Sequence, residues 1–196
     1  MVSIRKSDAF CNPNLVLLRE YFRAVYSRCS PNDGMVCLMR QPPSQRGRKF
    51  DFVPPENMDQ LCSLAGIHAR RENVYNTVNL IQPGAVARLR RSKRRGCKEH
   101  LQSAVAIVAD IDAGPNPKHR YPPQTKILTA LSGMPLQPSL VYRSGRLDGG
   151  VHAYWLFQQP ERVDTLESRD RVEGISRRWL SHFLECLRIV GLKQVE

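Results

Sequence analysis

No apolar run in the chain approaches the roughly 18 to 20 residues that a membrane-spanning helix requires, so no membrane partner is expected. The N-terminus, "MVSIRKSDAF", lacks the apolar centre of a secretory signal, which makes a cytoplasmic location the expectation. There is no Cys-x-x-Cys pair either. Cys11, Cys29, Cys37, Cys62, Cys97 and Cys186 are widely spaced and read as reduced thiols, not disulfides. Cys97 and His100 share a Cys-x-x-His spacing, but no second pair follows to complete a zinc site. Internal repeats are absent. Acidic residues are scarce, 18 against 30 Lys and Arg, giving a net charge of +12. That imbalance points to nucleic acid, acidic ligands or an anionic surface.

The remaining composition is that of a folded chain, with 41% hydrophobic and 24% charged residues over 196 positions. That length holds one sizeable core or a core with a small appended module. Residues 13–27 carry apolar side chains at helical spacing, "GMVCLMR" at 34–40 reads as a strand, and a polar turn follows through about Lys49. A helix led by Pro55 and a strand over residues 73–81, "NVYNTVNLI", come next. "QPGAVARLRRSKRRGCKEH" is a basic linker, partly helical and mobile without its ligand. After it come a strand from Ala104 to Asp112, a short helix over 122–133 closed by Gly133, and the strands "PSLVYRS" and "VHAYWLF". A long amphipathic helix from about Thr165 to Ile189 completes the order. Alternating strands and helices with a late hairpin give an α+β or α/β class built on one mixed sheet.

Two stretches carry chemistry. In "AVAIVADIDAGPNPKHR" an apolar strand ends in Asp110 and Asp112. Alternation puts both carboxylates on one face and returns Ile111 to the core. Paired carboxylates at a strand end suit Mg²⁺ or Mn²⁺, hard ions held by one or two carboxylates plus substrate phosphates. In "YRSGRLDGGVHAYWLF", Ser144, Gly145, Gly149 and Gly150 flank a hairpin whose amides can approach phosphate oxygens. His152 leaves that hairpin on the face opposite Val151 and Ala153, placed to donate to a phosphate, with Arg143 adding fixed charge. A third feature is "RLRRSKRRGCK", residues 88–98, with seven Lys or Arg and no acid. Arg88, Arg90, Arg91, Lys93, Arg94 and Arg95 can neutralise template phosphates without reading sequence. No aromatics are interleaved there, so the run itself offers no base stacking.

Together the Asp-x-Asp strand end, the later glycine hairpin with His152 and "YW", and the lead-in "NVYNTVNL" resemble the archaeo-eukaryotic primase superfamily. The likeness is to the bifunctional primase-polymerases of plasmids, phages and integrated elements, and it covers roughly residues 34–160. It implies an RNA-recognition-motif-like sheet core over residues 91–196, packed with an N-terminal αβ module over 1–90. It implies that Asp110 and Asp112 hold the catalytic ions and that His152, with the 144–150 turn, contacts a nucleoside triphosphate. Single-stranded DNA template follows as a partner, and a replicative helicase is a further partner that the resemblance raises. Catalysis in such domains is primer synthesis for DNA replication, with metal ions activating a 3′-hydroxyl and neutralising the departing pyrophosphate.

The pattern departs from the family in two places. Where many members read Ser-x-His, this chain has Gly150-Val151-His152, and its serine is at position 144. The family's third carboxylate lies on a strand after the long helix, whereas this sequence ends in "GLKQVE"; Glu173 and Glu185 on that helix are not assigned as ligands. These departures imply a truncated or interrupted chain, or a member that has lost catalysis and serves as a DNA-binding replication accessory. A rolling-circle replication nuclease would need a histidine where Gly150 stands and a tyrosine on the late helix, which has none.

Overall fold

Asn14 starts the first helix: its side-chain oxygen accepts from the Val16 and Leu17 amides at 3.1 and 3.2 Å, satisfying two donors that a helix start leaves open. In this computed structural model the described residues are 2–4, 14–42, 47–69, 72–114, 121–143 and 149–189. They form five α-helices and eight strands, in two four-stranded antiparallel sheets. Among them no helix is long and apolar enough to cross a membrane. The class is α+β. The chain divides into two compact units, residues 1–106 with 157–169, and residues 107–156 with 170–196. The boundary anticipated near residue 90 falls inside a helix of the first unit.

The first unit holds a sheet of order β1-β4-β2-β3, made of β1 (Val2–Ile4), β2 (Val36–Gln41), β3 (Lys49–Val53) and β4 (Asn73–Asn76). A helical crossover, α2 (Met58–Ala69), connects β3 to β4. Because β4 returns in the direction of β3 on the far side of β2, every neighbour pairs antiparallel. The expected single mixed sheet is therefore replaced by antiparallel ones. The helix α1 (Leu15–Tyr26) and α2 cover the sheet face bearing Leu38, Val74 and Asn76, burying Phe22, Val25, Leu61 and Ala65. Within that layer the Tyr21 and Tyr26 hydroxyls meet the buried Asn76 amide at 3.0 and 2.8 Å.

The opposite face carries Cys37 and Phe52, which pack with Ile81, Ala85 and Leu89. Here the strand anticipated over 73–81 proves to be two, β4 and β5 (Leu80–Ile81), belonging to different sheets. Thr77 makes the break: its amide donates to Cys37 O at 2.9 Å and its hydroxyl accepts from the Cys37 amide at 3.1 Å. α3 (Val86–Ser92) follows, so the basic linker is partly helical, as expected.

The second unit contains the Asp-bearing half of β6 (Leu101–Ile111), β7 (Leu140–Arg143) and the first half of β8 (Val151–Arg162), in the sheet order β5-β6-β8-β7. α4 (Gln124–Ser132) and α5 (Leu166–Ile189) lie close to their anticipated positions. One core joins them. Ala109, Ile111, Val151, Ala153 and Trp155 from the sheet pack with Ile127 and Leu131 of α4 and Phe183 and Leu187 of α5. Trp155 stands edge-on to Trp179 and Phe183, with ring centroids 5.1 and 5.5 Å apart.

Candidate functional sites

Alternation along β6 sends Ile107, Ala109 and Ile111 to the helical core and leaves Asp110 on the other face; Asp112 lies just past the last residue of the strand, and both aspartates are exposed. Along β8 the same rule puts Val151 and Ala153 in the core and His152 opposite them. The two strands thus bring together residues far apart in sequence. His152 Nε2 lies 3.0 Å from Asp110 Oδ1, with the imidazole 4% and the carboxylate 64% exposed. Nε2–H donates to the carboxylate, so the buried ring holds one oxygen of Asp110.

Other predicted residues are placed differently. Gly149 and Gly150 lead into β8, and Gln124 of α4 donates to Gly149 O at 2.7 Å, fixing that end of the hairpin. Ser144 and Gly145 lie outside the described residues. Arg143 is in register with Val151, on the face away from His152, and Tyr142 is the residue paired with His152. Arg143, expected to add fixed charge for a phosphate, does not share the face of His152; the β7–β8 register gives Tyr142 that place.

The basic run forms a second site within the first unit. A cleft of about 870 Å³ is lined by Arg88, Lys93, Arg94 and Arg95 of the predicted set, joined by Arg48 and His100, with no acidic residue in its wall. Arg90 is engaged elsewhere, its guanidinium 5.9 Å over the Phe52 ring, and neither it nor Arg91 lines the cleft. Two left-handed residues turn the chain sharply after α3. Lys93 has φ of 52° and Gly96 of 95°, and a Cβ at Gly96 would come within 3.2 Å of Ile81 and 3.3 Å of Leu89.

The floor was not foreseen. Met39 is paired with Phe50 on one side and Tyr75 on the other, so the three side chains form a row across β3, β2 and β4. All three line the cleft. Cys97 and His100 of its lining, with the neighbouring Glu99, form the one set of three potential metal-ligating atoms within 4.8 Å of one another among the described residues. Arg88 lies 2.7 Å from His100 Nε2, and Nδ1 accepts from the Cys97 amide at 3.3 Å with the Cys97 sulfur 3.1 Å away, so both ring nitrogens are already engaged. A hydrogen bond with Glu99 also pushes the Cys97 thiol above its ordinary pKa, keeping it protonated.

Asp110, Asp112 and His152 do not form such a set of three within that distance of one another among the described residues. Glu173 and Glu185 of α5 pair with Arg177 and Arg188 at 3.4 and 3.6 Å. The five described cysteines, Cys29, Cys37, Cys62, Cys97 and Cys186, are free. No protein-family model matches the chain, and no curated protein or solved structure shows significant similarity to it.

Proposed function

We propose that the chain is a primase-polymerase-type nucleotidyltransferase domain that binds a nucleoside triphosphate with a divalent ion and a single-stranded DNA template. Its finer fold class, an RNA-recognition-motif-like core with an N-terminal αβ module, belongs to the same proposal. The observation that carries it is the Asp110–His152 pair, 3.0 Å apart at the end of β6 and next to the Gly149–Gly150 turn.

The residues fit a hard cation. Asp110 and Asp112 present exposed oxygens at one strand end, and His152 fixes one oxygen of Asp110 without itself competing as a ligand. Mg²⁺ or Mn²⁺ bound there would supply charge neutralisation at the triphosphate and activation of a 3′-hydroxyl. The hydroxyl oxygen bonds to the α-phosphorus, the bond to the bridging oxygen breaks, pyrophosphate leaves, and the hydroxyl proton passes to solvent. In this scheme the aspartates hold position, and the glycine amides contact phosphate oxygens at close range. His152 keeps Asp110 oriented, and its Nε2–H reaches a phosphate oxygen only if that carboxylate turns towards an ion.

A second reading, a DNA-binding replication accessory without turnover, is favoured by one observation: the basic cleft is built without either aspartate. Calorimetric titration of a nucleoside triphosphate with Mn²⁺ separates the two. The primase reading expects metal-dependent binding in the wild-type chain that is lost in Asp110→Ala/Asp112→Ala. Equal or absent binding in both would leave the accessory reading.

A further inference from the structure

The cleft of the first unit combines two surfaces that the primary sequence keeps apart. Its rim is cationic, with Arg88, Arg94 and Arg95 supplied by one stretch of chain. Its floor is apolar and flat, the row Phe50–Met39–Tyr75 supplied by three strands. Phosphate alone would be served by the rim. An apolar floor of two rings suits a ligand that carries a planar face along with its negative charge.

We propose that this cleft binds single-stranded nucleic acid, with unpaired bases stacked on Phe50 and Tyr75 and the backbone phosphates held by the arginines. Stacking is open to any base, because each has a π-face, and guanidinium matches phosphate bidentately, so the expected binding is tight, salt-dependent and indifferent to sequence. A duplex is disfavoured, since its bases already stack on each other. The volume of about 870 Å³ limits the footprint to a short run of nucleotides. The assignment takes its partner class from the single-strand reading above but uses none of the Asp110–His152 chemistry.

Anisotropy of a labelled oligothymidylate, measured over a series of salt concentrations, tests it. The variant Phe50→Leu/Tyr75→Leu keeps apolar volume but removes both rings. It should bind about tenfold or more weaker with an unchanged salt slope, at about 1–3 kcal/mol per stacked base. Arg94→Ala/Arg95→Ala should instead flatten the salt slope by about 1.4, two phosphates at about 0.7 each. A ring variant that binds like wild type overturns the proposal, as does a duplex or ATP competing as well as the single strand.

A photo-crosslink on the unmutated chain guards against misfolded variants. Oligonucleotide carrying 5-iodouracil should form adducts on the peptides containing Phe50 or Tyr75. Adducts found solely elsewhere would overturn this site while leaving the single-strand reading intact. Adducts on Tyr75 in a chain that binds no nucleotide with Mn²⁺ would uphold the site and defeat the primase reading.

Discussion

In the first unit all but one of the cations lining the candidate site, Arg48, come from one continuous run, residues 88–95, while its apolar floor is assembled from three strands. In the second unit the order is reversed: the apolar frame is continuous along β6 and β8, and the charged pair is the assembled part, one residue from each strand. A charge run announces itself in sequence and an apolar strand announces itself by its length. Each site was therefore half visible. What sequence could not supply in either case was the partner brought in by strand pairing.

The largest effect that would break the comparison is structural. Phe183→Ala removes a buried ring from the core behind Asp110 and His152, and should cost about 3–5 kcal/mol. Both tryptophans of the chain, Trp155 and Trp179, contact that core, so their emission follows the second unit. A urea titration read by emission should shift strongly while oligonucleotide anisotropy persists. Equal loss of both would show that the two sites do not fail separately.

Next in size is an exchange of functions. Asp110→Ala/Asp112→Ala should weaken nucleotide binding with Mn²⁺ by about 100-fold or more, because the ion loses both carboxylates. The same variant should leave oligonucleotide affinity within about twofold, since neither aspartate lines the cleft and exposed substitutions cost little. Charge removal at Arg94 and Arg95 should do the converse. A crossed result, with the aspartate variant losing oligonucleotide, would merge the sites into one.

A finer test concerns the nitrogen that holds Asp110. His152→Gln offers an amide N–H near the place of Nε2 and should keep nucleotide binding within about threefold. His152→Phe lacks the donor and should lose about tenfold, the value of one hydrogen bond to a charged group. Equal behaviour of the two variants would remove the positioning role.

The smallest effect is one of pH. Burial pushes the Cys37 thiol from its ordinary 9.0 up to about 12. The folded chain then keeps a proton that the unfolded chain releases. Stability is full below pH 9.0 and falls as pH rises towards 12, by at most about 1.4 kcal/mol per pH unit from this group. Tyr26, raised well above 10.0 by burial, adds to the loss higher up. Urea midpoints read by circular dichroism should fall from neutral pH to about pH 10.5, and less steeply in Cys37→Ala.

The legible part of the fold had strong periodicity behind it. β6 showed as an unbroken apolar run, and α5 runs from Leu166 as its amphipathic spacing indicates. β3 was lost in a polar, proline-bearing stretch although "KFDFV" alternates, because five residues give alternation little weight. The break between β4 and β5 has no glycine or proline to mark it. It is made by Thr77 bonding across to Cys37 and by Asn79 accepting from the Val105 amide at 3.1 Å, contacts that only the folded chain supplies. Neither the His152–Asp110 contact nor the placing of Arg143 could be read along the chain, because each depends on strand pairing.

The Asn76 amide, clasped by two tyrosine hydroxyls beneath the first sheet, has a further effect on the cleft above it. Moving β4 along by a single residue would flip the whole strand, turning Tyr75 into the helical layer and Asn76 out onto the floor. The slipped pairing would strand a polar amide and two phenols without their partners, a penalty that scales with desolvation rather than with apolar area. Asn76 thus works as a register pin, and the spacing of the rings that a stacked strand would meet is set from the far side of the sheet.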